Sequence, residues 1–148
     1  MTALSLAIEV PCRIKLIDER AQVPAYAHAS DTGADLFAVE HTAIMPGETR
    51  AVDIGIAIEL APGYCAEIRP RSSQSKRGIL VHTGTLDWSY RGSIRVLITN
   101  GSEDIYRISP GDRIGQMVVA PVHQARFSVV SELGETARAD GGLGSTGV

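Results

Sequence analysis

The chain has 148 residues, 44% of them hydrophobic, and a formal charge of −3; that suits one globular domain with a real core. Acidic and basic residues are mixed along it, without the basic footprint of a broad nucleic-acid binder, though a few arginines could still hold a small anion. No apolar run approaches the ~18 residues needed to span a bilayer, and the N-terminal stretch lacks a basic leader region, so neither a membrane segment nor a signal peptide is expected.

Apolar alternation dominates the chain. "SLAIEVPCRIKLI" reads as a first strand. Its Cys12, like the distant Cys65, is expected as a buried free thiol in a cytoplasmic protein. "DIGIAIEL" (Asp53 to Leu60) reads as one strand with Ile54, Ile56, Ile58 and Leu60 on one face. A short helix is expected after Ser72, capped by a serine. "SIRVLITN", "IGQMVVAPV" and "RFSVVSEL" (Arg126 to Leu133) read as further strands. Pro-Gly pairs beginning at Pro46, Pro62 and Pro110 predict type II turns, because proline presets φ and glycine accepts the positive φ that follows. Short strands with regular turn signals predict an all-β sandwich, barrel or jelly roll.

Four stretches carry more polar chemistry than a β core needs. "ASDTGADLFA" holds Asp31 and Asp35 around a glycine, which also suits a plain turn entering a strand. "RPRSSQSKRG" offers Arg71 beside Ser72 and Ser73; hydroxyls and backbone N–H groups at a turn can bind phosphate, and the same residues suit a solvated cap. "GTLDWSYRGSIRV" brackets Asp87 and Tyr90 with Gly84 and Gly92. "PGDRIGQMV" delivers Asp112, Arg113 and Gln116 to a strand start, or is simply a polar turn. His28, His41, His82 and His123 are scattered, with no metal-ligand spacing. The tail "ARADGGLGSTGV" is too poor in apolar residues to order itself. Trp88 is expected to pack rather than to act.

Five of these segments, "ASDTGADL", "PRSS", "GTLDWSYRG", "GDRIGQ" and "RADGGLGSTG", stand in the order of the five motifs of the trimeric deoxyuridine triphosphatases (dUTPases). The resemblance implies a jelly-roll-like β core over residues 1–136. It implies a flexible arm over residues 137–148, ordering over bound nucleotide. The implied reaction is Mg²⁺-assisted hydrolysis of dUTP to dUMP and pyrophosphate, in a homotrimer with shared active sites and no nucleic-acid or membrane partner.

The residue roles follow from the same resemblance. Asp87 matches the general base that activates water against the α-phosphorus. Tyr90 matches the ring that packs under the deoxyribose and leaves no room for a 2′-hydroxyl. Val81, Gly84, Thr85 and Leu86 fall where a backbone hairpin reads uracil. Ser72 matches the serine on the pyrophosphate side, with Ser73 following. Arg71 is left to contact phosphate or to brace a subunit interface. Gln116 matches the glutamine near the phosphates, and Asp35 the aspartate that places the metal through water. Arg138 matches the γ-phosphate arginine. Gly142 and Gly144 would supply backbone donors and Ser145 and Thr146 hydroxyl donors around the triphosphate, with Leu143 covering the base.

The chain departs from the usual pattern in places. Leu143 stands where phenylalanine normally stacks on uracil. Ser89 replaces a second acidic residue, Trp88 is bulkier than usual, and the segment from Arg71 to Asp87 is short. A purely structural β module would not need Arg138 and a glycine-rich tail; two other readings compete more directly. One is a nucleotide-gated binding module. The other is a deoxycytidine triphosphate deaminase, which needs a glutamate beside the pyrimidine, yet this chain has none between Glu67 and Glu103.

Overall fold

A computed structural model of the protein describes residues 8–141. The elements in chain order are β1 (Cys12–Leu16), β2 (Ala34–Phe37), β3 (Thr42–Ile44), β4 (Thr49–Asp53), β5 (Ile56–Leu60), β6 (Tyr64–Arg69), α1 (Ser72–Lys76), β7 (Ile79–Val81), β8 (Gly84–Asp87), β9 (Arg95–Asn100), β10 (Tyr106–Ile108) and β11 (Arg113–Pro121). The architecture is all-β and jelly-roll-like, with antiparallel sheets ordered β2-β11-β6-β8, β4-β9-β7, β1-β5 and β10-β3. Their inner faces meet in one cluster that includes Leu36, Ile44, Ile56, Ile98 and Ile114, each at most 1% exposed. Burying a side chain of that size contributes about 1.5–3 kcal/mol. Trp88 packs against this cluster, as a structural tryptophan should.

The three Pro-Gly turns form as the local chemistry dictates. Gly47, Gly63 and Gly111 take φ values of 77°, 89° and 88°.

Several expectations change. "DIGIAIEL" is not one strand: β4 ends at Asp53 and β5 begins at Ile56. Gly55 turns the chain with φ at 67°, and its N–H donates to Asp53 Oδ1 at 2.7 Å. A Cβ there would lie 2.8 Å from Asp18 Cβ and 2.9 Å from Val39 Cγ1. Ile54 still points into the core, so alternation survives while the ladder breaks. The N-terminal strand begins only at Cys12, after Pro11, which has no N–H for a ladder. Cys12 is exposed, because β1 pairs only with β5 and nothing covers its outer face among the described residues; Cys65 is buried and free as expected. Arg71, not a serine, caps α1: the Gln74 carboxamide accepts from the Arg71 N–H at 3.3 Å.

The largest difference lies at Arg126–Leu133. No strand forms there, and Phe127, Val129 and Leu133 are 93%, 104% and 88% exposed. The alternation is strand-like, but among the described residues no strand pairs with it.

Candidate functional site

Register builds the first polar cluster. On the four-stranded sheet, Gln116 of β11 stands opposite Asp35 of β2 on one side and Arg69 of β6 on the other. Arg71 leaves β6 after Pro70 and turns back over this row. Its Nε donates to Asp35 Oδ1 at 2.8 Å, and Arg113 Nη1 reaches Oδ2 at 3.5 Å. The Asp35 and Arg71 side chains are 14% and 23% exposed, so the pair is partly withdrawn from water and less screened than a surface pair. Arg71 Nη1 also donates to Ser73 Oγ at 3.4 Å. Ser72 and Ser73 sit exposed on the first turn of α1.

Two further groups hold this cluster in shape. Gln116 Nε2 donates to the Pro70 carbonyl at 2.8 Å, and a Cβ at Gly33 would overlap Gln116 Oε1 and lie 2.8 Å from its Cδ. Gln74 is 4% exposed and ties α1 to β11 by donating to the Ile114 carbonyl at 3.0 Å. Sequence reasoning left Gln74 unremarked, since nothing in "SSQSK" distinguishes a buried amide from a solvated one. It also left Arg113 as a possible turn residue, because its pairing with Asp35 is long-range.

The second cluster lies on β8 and the turn after it. Asp87, at the end of β8, stands opposite Cys65 of β6. The Tyr90 N–H donates to the Asp87 carbonyl at 3.0 Å and closes the turn. The Asp87 side chain is exposed. Tyr90 is 44% exposed, and its Oη donates to the Ser93 carbonyl at 3.1 Å. Gly92 lies under the ring: a Cβ there would be 2.6 Å from Tyr90 Cζ. Ser93 is anchored in turn, its hydroxyl donating to Asp53 Oδ1 at 3.0 Å. Leu86, Tyr90, Ser93, Ile94 and Arg95 line a cavity of about 460 Å³, within the size range of small-molecule sites.

The expected hairpin from Val81 to Leu86 is absent. β7 pairs with β9 in one sheet, whereas β8 pairs with β6 in another. His82 and Thr83 cross between the sheets, so Val81 and Leu86 belong to separate ladders. His82 adds a 2.7 Å contact from its Nε2 to Thr99 Oγ1. Gly84 and Thr85 pair with Ile68 and Glu67, leaving Gly84 half-buried and Thr85 exposed.

The two clusters do not meet within one chain. Cys65 and Arg69 mark their positions on β6, four residues and therefore about 13 Å apart along the strand. Arg138 joins neither cluster by hydrogen bond; it is exposed and donates to the Gly141 carbonyl at 3.0 Å. Gly142, Leu143, Gly144, Ser145 and Thr146 lie outside the described residues.

A resident metal cage is absent among the described residues, where no three His, Cys, Asp or Glu side chains converge. Both Asp35 oxygens face guanidinium groups. With both oxygens so engaged, Asp35 is placed to act on a hard cation only through that ion's own waters, the ion's direct ligands coming from a substrate's phosphates.

The comparisons with known proteins cover these same residues. The family described as dUTPase matches residues 19–147. The deoxyuridine 5′-triphosphate nucleotidohydrolase of Nautilia profundicola is 44% identical over 138 residues, 91% of this chain and 97% of that protein. Its counterpart from Maricaulis maris is 45% identical over 147 residues, 93% and 97% of the two chains. The dUTPase of Staphylococcus bacteriophage 80alpha, solved with dUPNHPP, superposes with a TM-score of 0.88 at 26% identity, covering 93% of this chain and 99% of that one. The matched range spans nearly the whole described core, and on that evidence the chain belongs to the dUTPase family.

Proposed function

We propose that the protein hydrolyses dUTP to dUMP and pyrophosphate. The observation that carries this reading is the turn Asp87–Tyr90. It presents an exposed carboxylate and, three residues on, a tyrosine ring held by the Ser93 carbonyl and backed by Gly92. Asp87 takes a proton from a water whose oxygen bonds to the α-phosphorus. The bond from that phosphorus to the bridging oxygen breaks, and pyrophosphate leaves. Tyr90 packs against the deoxyribose and excludes a 2′-hydroxyl. Ser72, Ser73, Arg71 and Gln116 face the phosphates from the other cluster. Arg138 and the arm over residues 137–148, apart from the core over residues 1–136, cover the triphosphate. Val81, Gly84, Thr85 and Leu86 flank the base, from two sheets rather than a hairpin. Mg²⁺ would be carried mainly by the triphosphate, with Asp35 reaching it through water; when bound it neutralises phosphate charge and polarises the phosphoryl group.

The working form in this reading is a homotrimer acting in the cytoplasm. Separation of the two clusters on β6 supports a site completed by another copy. So does the exposed Phe127, Val129 and Leu133 stripe, an apolar edge that a neighbouring chain would cover. A deaminase is disfavoured, because no glutamate stands between Glu67 and Glu103, the stretch that carries Asp87 and Tyr90.

Pyrophosphate release with Mg²⁺ should be selective, with dTTP, dCTP and UTP at least about 100-fold slower than dUTP. Equal rates would defeat the reading, and ammonia released from dCTP would favour the deaminase. Gly92→Ala is expected to push the Tyr90 ring aside. Steady-state kinetics should then show kcat/KM for dUTP falling roughly 10- to 100-fold, with weaker discrimination against UTP.

A further inference from the structure

The turn that carries Asp87 and Tyr90 is poorly held by its own backbone. Ladder pairing with β6 stops at Asp87. From Trp88 to Ser93 the chain makes one backbone–backbone hydrogen bond among the described residues, Tyr90 N–H to the Asp87 carbonyl. On the side facing β1 and β5 lies a cleft of about 340 Å³, lined by Arg13, Ile14, Lys15, Ile58, Glu59 and Arg91. Packing therefore does not brace the turn from that side.

One side chain spans the gap. Arg91 Nη1 donates to the Trp88 carbonyl at 2.6 Å and to the Tyr90 carbonyl at 3.0 Å. Its Nη2 lies 3.7 Å from Glu59 Oε1 on β5, and the other Glu59 oxygen accepts from Arg13 of β1 at 3.1 Å. A guanidinium suits this arrangement, because its rigid plane offers several donors at fixed angles. Arg91 and Glu59 are about half-exposed and Arg13 is 84% exposed, so each ion pair is individually weak. Geometry is the larger effect here, since both turn carbonyls converge on one nitrogen.

We propose that Arg91, anchored by Glu59, is a positioning residue that holds the Asp87 carboxylate and the Tyr90 ring in one fixed relation. The inference rests on the roles given above to Asp87 and Tyr90. It predicts that loosening Arg91 disturbs turnover and sugar discrimination together, although Arg91 touches neither reacting group.

The test uses the full-length chain and the variants Arg91→Met, Arg91→Lys, Glu59→Gln and the Arg91→Met/Glu59→Gln double, with Asp87→Asn as reference. Arg91→Met should lower kcat for dUTP roughly tenfold or more, a cost typical of small misplacement. The kcat/KM preference for dUTP over UTP should fall with it, while Tm stays within about 4 °C of the parent. Arg91→Lys should recover part of both, having charge but no fork. Glu59→Gln should shift both in the same direction by less. The double variant should match Arg91→Met alone, since a broken clamp cannot be broken twice. Parental kcat and discrimination in Arg91→Met, beside an inactive Asp87→Asn, would overturn the clamp and leave the site reading intact. Losses that multiply in the double variant would overturn it too. An active Asp87→Asn would instead overturn the reading on which the clamp rests.

Discussion

Asp87→Asn is expected to lose roughly a thousandfold or more in dUTP turnover and to unfold at the parental temperature. The two halves of this expectation have separate causes. An amide cannot accept the water's proton, and general-base contributions of about 10²–10⁴ are usual. The fold has little stake in the carboxylate: it is exposed and accepts no side-chain hydrogen bond among the described residues. A substitution at such a position costs within about 0.5 kcal/mol. Pyrophosphate release and thermal unfolding, measured on the same preparation, check both halves. Parental turnover would remove Asp87 from the mechanism. A large drop in Tm would make the activity loss uninformative about chemistry, and Asp87→Glu would then be the variant to measure, since it keeps a carboxylate but moves it.

The second large effect concerns where a complete site resides. Ser72→Ala removes an exposed hydroxyl from the first cluster, and that hydroxyl makes no hydrogen bond among the described residues, so the fold should tolerate it. Losing one preorganised donor to the phosphates is expected to cost about 10²–10³ in kcat. Each variant alone is then nearly inactive. Unfolded together in equal amounts and refolded, they should recover about a quarter of parental turnover. A site drawing one cluster from each of two copies receives two competent halves in roughly one case in four. Variants refolded apart and then mixed without subunit exchange provide the baseline. Recovery no greater than that baseline would mean that each chain completes its own site. Recovery above the baseline is the expected result, since the clusters sit about 13 Å apart along β6 in one chain.

Much of the fold could be read locally. Alternation put Ile94, Val96 and Ile98 on one face of a strand, and all three are buried. The three Pro-Gly turns needed only two residues each to declare themselves. Short polar motifs were legible too, because turn glycines, carboxylates and hydroxyls cluster in sequence wherever they share one small region of space. Asp87 with Tyr90, and Arg71 with Ser72 and Ser73, are such groups.

What remained hidden depends on partners distant in the chain. The break at Gly55 answers to Asp18 and Val39, which leave no room for a Cβ there. Arg126–Leu133 has the period of a strand, yet a period says only which residues share a face and not whether another strand lies beside them. Cys12 carries a strand-like environment in sequence, but β1 has a single partner and its thiol faces outward. Asp35 looked free until Arg71 and Arg113, 36 and 78 positions away, closed on its two oxygens. The same holds for Arg91 and Glu59, which no local pattern connects. The sequence by itself determined the β class, the turns and the identity of the polar residues, since those follow from dihedral preference and alternation over a few positions. Only the tertiary structure decided which polar groups meet, which apolar stripe stays bare and how far apart the two clusters stand, since pairing and burial are set by whatever strand the rest of the chain brings alongside.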